Sequence, residues 1–279
     1  MRKYIQQGFT LIEMIVVIVI TGIIAGIVAI FIQAPVQGYV DSARRAELTD
    51  IADTAARRMA RDVRMAVPNS MLLTGACPAC AIEYIPTKDG GRYRAVTDNL
   101  GAGDVLNFGA ADGSFDIVGN GIDFAAGDFI VVGSRESTAT WPYDQTVTGV
   151  LRPYSGAAGV QTNVAITNAV GLRTEAKLDS QRFDVVNGAE QAVSYVCEGV
   201  GTDAAGTGTG VLRRYWGYGF DHAYTLADPN AVLADRVSGC AMTYNIANQR
   251  FGLVTISLTI TRENDSVSLY NEIHVNNAP

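Results

Sequence analysis

Residues Met14–Ile32 read MIVVIVITGIIAGIVAIFI, nineteen positions without a charged side chain, broken only by Thr21, Gly22 and Gly26. At about 1.5 Å per residue, a helix of that length roughly spans a bilayer core of about 30 Å. Arg2 and Lys3 stand ahead of it, with no acidic residue before Glu13. By the positive-inside rule the N-terminus is expected in the cytoplasm and everything after the span outside. A secretory signal fits less well, because its apolar region is about 7–15 residues long and ends at a small-x-small site. This run is longer, and no good A-x-A site follows it. A simple anchor leaves Glu13 unexplained. A carboxylate in a membrane segment costs about 2.5–3.5 kcal/mol and marks a functional position.

Pro35 is expected to interrupt this helix, with Gly38 just after it. A second helical segment is expected from about Asp41 to Val67, stopped by Pro68. Leu48, Ile51, Ala52, Ala55, Met59, Val63 and Val67 recur at three and four residues and form one apolar stripe. Arg44, Arg45, Glu47, Asp50, Asp53, Arg57, Arg58, Arg61, Asp62 and Arg64 occupy the other face, read mainly as a solvated surface.

After Pro68 the period becomes two. Thr255–Thr261 alternates strictly, and Val267, Leu269, Ile273 and Val275 fit a partner strand beyond the polar turn Glu263-Asn264-Asp265. Further strands are expected at Ala81–Ile85, Tyr93–Thr97, Phe129–Val132, Ala192–Cys197, Leu212–Tyr218 and Ala241–Ile246. Leu100–Asp128 and Gly201–Gly210 read as loops, and neither holds a phosphate-binding pattern. The fold class expected is α+β, a long N-terminal helix packed on an antiparallel sheet.

The 279 residues carry a formal charge of −7 and only two histidines, His222 and His274. That balance argues against a nucleic-acid partner and a His-built metal centre. Four cysteines allow three pairings, and they would lie in an oxidising compartment. Cys77 and Cys80 have CxxC spacing, but no second close pair completes a zinc ribbon and no βαβ context suggests a redox site. The pairing favoured is Cys77–Cys80 with Cys197–Cys240, the other two remaining open. No cofactor is expected. Asp112, Asp116 and Asp123 could supply oxygen ligands to a structural calcium, although Ile117 stands where an EF-hand loop needs glycine. Asp221, His222 and Ser238 show no arrangement that suggests a catalytic triad. Tyr215-Trp216-Gly217-Tyr218 reads as sheet packing ahead of a contact patch for a partner or glycan.

The order of the basic leader MRKYIQQ, then Gly8-Phe9-Thr10-Leu11-Ile12-Glu13, then the apolar run resembles the type IV prepilins and pseudopilins. PVQGY, SARRAEL, RRMARDVR, VPNS, DGGRYR and the terminal HVNNAP resemble a larger, J-pseudopilin-like minor pilin of the mannose-sensitive haemagglutinin (MSHA) pilus. The resemblance implies a leader of residues 1–8, a transmembrane helix over 9–34, an amphipathic periplasmic helix over 35–68 and a β-rich domain over 69–279. It implies cleavage between Gly8 and Phe9 by a prepilin peptidase, N-methylation of Phe9, and a subunit-assembly role for Glu13. The implied partners are the peptidase–methylase, other minor pilins and the major pilin, the assembly platform, and the inner membrane. The implied function is structural: no enzyme, but a subunit that primes or caps a pilus near its tip. A J-like pseudopilin of type II secretion shares these features. A membrane-anchored periplasmic enzyme or binding domain that keeps its leader is the reading from another class.

Overall fold

The computed structural model describes residues 9–135, 141–248 and 251–278. One helix, α1, runs from Leu11 to Arg64. From Leu11 to Ile32 its side chains are exposed all round, Phe31 at 79%, so this stretch is long and apolar enough to cross a membrane. The Thr21 hydroxyl donates to the carbonyl of Val17 at 2.7 Å, which satisfies it within the helix.

The break expected at Pro35 is absent, and the helix continues through it. Proline removes one backbone donor, a local cost of about 3 kcal/mol. A helix with many intact turns on each side carries that loss without ending. Arg61 and Arg64 sit in the last turn, where cations favour the dipole.

The chain divides into two compact units, residues 1–47 and 48–279. In the second unit, fifteen strands lie among the described residues. They are β1 (Leu72–Thr74), β2 (Ala81–Tyr84), β3 (Thr87–Arg92), β4 (Ser114–Asp116), β5 (Ile122–Phe124), β6 (Phe129–Val132), β7 (Leu151–Pro153) and β8 (Gly159–Gln161). Then follow β9 (Asn163–Ala165), β10 (Arg182–Val186), β11 (Val193–Glu198), β12 (Gly210–Trp216), β13 (Asn230–Asn248), β14 (Phe251–Arg262) and β15 (Asp265–Asn276).

The main sheet is antiparallel with order β1-β2-β11-β12-β13-β14-β15. One face carries Ile82, Tyr195, Met242, Val254, Ile256 and Ile273, packed with Leu48, Ala52, Ala55, Met59 and Val63 of α1. The stripe is closed to solvent, Met59 being 0% exposed. Burying each such Leu, Met or Val contributes about 1.5–3 kcal/mol as an upper estimate. β14 and β15 join through Glu263 and Asn264, both at positive φ (52° and 67°), the two-residue turn whose twist suits a hairpin.

A second sheet, β3-β10-β6-β7, and two small pairs, β4-β9 and β5-β8, enclose a separate core around Phe115, Phe124, Ile130 and Phe183. Leu100–Asp128 is not simply a loop, since it contributes β4 and β5 and the buried Phe115, Ile117, Ile122 and Phe124. The Gly and Asp residues between those apolar anchors mask strands only three residues long. The strand expected at Tyr93–Thr97 lies earlier, at Thr87–Arg92, where TKDGGR has no apolar alternation and pairing with β10 decides its conformation. β13 also extends well ahead of Ala241–Ile246, with register shifts after Val237 and Ile246.

Candidate assembly site at the helix N-terminus

Phe9 is 80% exposed at the start of the described chain, while Gly8 and the residues before it, where a leader is expected, lie outside the described residues. Thr10 and Glu13 form a reciprocal pair. The Thr10 hydroxyl oxygen accepts the Glu13 N–H at 3.4 Å, and the Glu13 carboxylate accepts the Thr10 N–H at 3.5 Å. This is a capping box, which satisfies two of the donors a helix start leaves open. Its sequence signal is the Thr-x-x-Glu spacing of Thr10 and Glu13. The carboxylate spends one oxygen on this cap, and a carboxylate has about four lone-pair sites. Capacity therefore remains for a second, cationic donor.

In the globular unit the cysteines are bonded as two pairs. Cys77 and Cys80 are joined, and the Met242 N–H reaches Cys77 Sγ at 3.2 Å. Cys197 and Cys240 join β11 to β13 inside the main core, with Cα atoms 6.5 Å apart. No free cysteine occurs among the described residues.

The helix face read as solvated is not uniform. Asp62 is half-buried, accepts the Tyr195 hydroxyl at 2.5 Å and lies 3.5 Å from Arg214 Nε. Arg214 also donates to Glu190 at 2.8 Å and stacks over Trp216 at 5.0 Å. Burial, then the hydrogen bond to Asp62, hold the Tyr195 hydroxyl protonated well above the usual tyrosine range. Burial works against the Arg214 charge, but Glu190 holds the guanidinium firmly protonated.

Among the described residues no group of three His, Cys, Asp or Glu side chains is placed to hold a metal. Asp112 bonds to the Asn107 backbone at 2.6 Å. Asp116 bonds to Asn163, Arg94 and the Asp104 N–H, with Asn163 first among the groups that lower its pKa. Asp123 is exposed. His222 Nδ1 lies 2.6 Å from the buried Glu83 Oε1, and its ring packs on Tyr143. Ser238 bonds instead to Thr261 at 2.6 Å, so no triad assembles. Tyr215 is buried, stacks on Tyr224 and donates to Glu198 at 2.5 Å. Tyr218 pairs with Ser194 at 2.7 Å.

Residues 4–29 match the family model of the prokaryotic N-terminal methylation motif. No curated protein and no solved structure matches the chain. The motif supports a type IV pilin-like or pseudopilin-like protein, whose class is structural. It implies processing by a prepilin peptidase and partners in a pilus or secretion system.

Proposed function

We propose that the chain is a minor pilin of a type IV pilus of the MSHA type, a structural subunit that primes or caps assembly near the tip. The observation that carries this reading is the Thr10–Glu13 capping box at the head of a 54-residue helix, inside the matched motif. The subunit sits in the inner membrane with its N-terminus in the cytoplasm and its β domain in the periplasm. Hydrolysis of the Gly8–Phe9 bond yields a new amine on Phe9, which is then methylated. That cation needs an anionic partner in lipid. The spare capacity of Glu13 on a neighbouring subunit supplies it, without giving up the cap. The chain itself does no chemistry; it presents a helix for lateral packing and a disulfide-stapled domain for neighbours.

The finer MSHA assignment rests on the resemblance of Pro35–Tyr39, Ser42–Leu48, Arg57–Arg64, Val67–Ser70, Asp89–Arg94 and His274–Pro279. A J-like pseudopilin of type II secretion shares the N-terminal features. Deleting the gene separates the two: loss of surface pili with intact protein secretion supports the pilin, and the reverse supports the pseudopilin. An N-terminus that retains Met1 in a strain with active peptidase would overturn both, in favour of an anchored enzyme or binding domain.

A further inference from the structure

Arg92 ends β3 and Arg182 begins β10, and the two are cross-strand partners. The Arg92 carbonyl accepts the Val118 N–H at 2.8 Å, so its backbone polar groups face away from β10. The pair is therefore of the narrow, non-hydrogen-bonded kind, in which Cα atoms lie about 4.5 Å apart and side chains approach most closely. Like charges directly opposite one another destabilise a sheet. Among the described residues neither guanidinium has a hydrogen bond or an ion pair. Both side chains are exposed.

Three charges stand nearby, of which Asp89 lines the cleft and Asp184 is acted on by Arg182. Arg94 is paired with Asp116 at 3.2 Å. The Asp89 carboxylate accepts the Gly90 N–H at 2.7 Å. Asp184, opposite Gly90 on the same face as Arg182, is largely shielded from solvent. An acidic protein thus places two arginines side by side with no hydrogen bond or close ion pair on either guanidinium among the described residues, a costly arrangement without a ligand.

The pair borders a cleft of about 510 Å³, formed by the open edge of β3, residues 117–122 and Arg182. That volume lies within the range of small-molecule sites. By strand alternation the Gly90 carbonyl opens on the same side as that of Arg92. The walls are held tightly: a Cβ on Gly91 would stand 2.9 Å from Ile122 Cδ1 and from the Phe183 ring, and one on Gly121 2.7 Å from Val160 Cγ1. The lining holds no aromatic ring on which a neutral sugar or a base could stack.

We propose that this cleft binds an acidic sugar, a uronic acid being the class that fits. Two guanidinium forks grip a planar carboxylate bidentately. Asn120 and the glycine backbone then meet the hydroxyls, and the cleft has room for a pyranose beyond the carboxylate. The site is independent of the N-terminal machinery and gives the globular domain a ligand of its own.

The test is calorimetric titration of the full-length protein, in a non-ionic polyoxyethylene detergent, with glucuronic acid, glucose and inorganic phosphate. Glucuronic acid is expected to bind, with affinity that falls as salt rises. Glucose should not bind, and phosphate should bind more weakly. Arg92→Gln and Arg182→Gln should each lower the glucuronic acid affinity about tenfold or more. Without ligand at low salt, Arg92→Gln should melt above the wild type, which separates lost binding from lost folding. Absence of glucuronic acid binding, or unchanged binding in the double variant, overturns the site. Glucose or phosphate binding as tightly as glucuronic acid overturns the ligand class. A lower melting point for Arg92→Gln overturns the premise that the pair is unsatisfied.

Discussion

The Tyr195 hydroxyl, on a central strand of the main sheet, donates a 2.5 Å hydrogen bond to Asp62 in the last turn of the helix. Helix and sheet are thus joined by a polar clasp at the end of an otherwise apolar seam. Asp62→Ala should cost about 1–3 kcal/mol, because it leaves the Tyr195 hydroxyl without its partner and Arg214 with Glu190 alone. Tyr195→Phe should cost less, about 0.5–1.5 kcal/mol. Denaturant unfolding followed by near-ultraviolet circular dichroism measures both. Equal stability of Asp62→Ala and wild type would show that the clasp is ornamental.

Glu13→Ala should insert in the membrane at least as well as the wild type, since it removes a charge that lipid disfavours. It should still be cut after Gly8, and mass spectrometry should find methyl-Phe9 at the new N-terminus of both proteins. The variant should fail at incorporation, which comparison of membrane and sheared-pilus fractions would reveal. Equal incorporation of both proteins would deny Glu13 any part in assembly.

Non-reducing peptide mapping should recover a peptide linking Cys197 to Cys240, another containing joined Cys77 and Cys80, and no free thiol. Replacing Cys197 and Cys240 by serine should cost about 2–4 kcal/mol, more than the same change at Cys77 and Cys80, because the loop closed is longer. A cross-link between Cys77 and Cys197 would refute the pairing.

Asp184 titrates abnormally. Burial pushes its carboxyl up to about 6, with Arg182 acting in the opposite direction. An acid whose folded pKa is raised holds its proton more tightly in the folded state. Stability therefore falls as pH rises from about 4 towards about 6, and the loss is complete above that window. Asp184→Asn should be more stable than the wild type at pH 7, by about 1–3 kcal/mol. The difference should vanish below about pH 4. A pH-independent difference in thermal melts would rule out the titration as its cause.

Much of this architecture is legible in the residues. Met14–Ile32 announces a helix by length and apolarity, and Leu48, Ala52, Ala55, Met59 and Val63 announce its buried stripe by spacing. The hairpin of β14 and β15 follows from strict alternation on either side of Glu263-Asn264. The second sheet is hidden because its strands are short and its anchors, Phe115, Ile122 and Phe183, are separated by glycine and aspartate. Their conformation comes from long-range pairing, which no local window holds. Asp62 was hidden for a related reason: an acidic residue among arginines reads as solvated until the sheet brings Tyr195 to it. At the candidate site Thr10 and Glu13 carried a local signal in full, whereas the Arg92–Arg182 juxtaposition depends on strands whose partners are 90 residues apart in the chain.

The core beneath the helix draws on both ends of the globular unit. Leu48–Val63 share one core with residues as late as Val254–Val275, and Asn69 is fastened to Asn277 across 208 residues by its side-chain bond to the Asn277 carbonyl at 3.1 Å. Synthesis therefore releases the apolar stripe long before the strands that cover it. Contacts so distant in sequence form late and slowly. During that interval the stripe is exposed, the condition in which a nascent chain is prone to aggregate. Loss of the last two strands would leave the stripe permanently uncovered, and quality-control proteolysis should remove such a chain before it meets any neighbour.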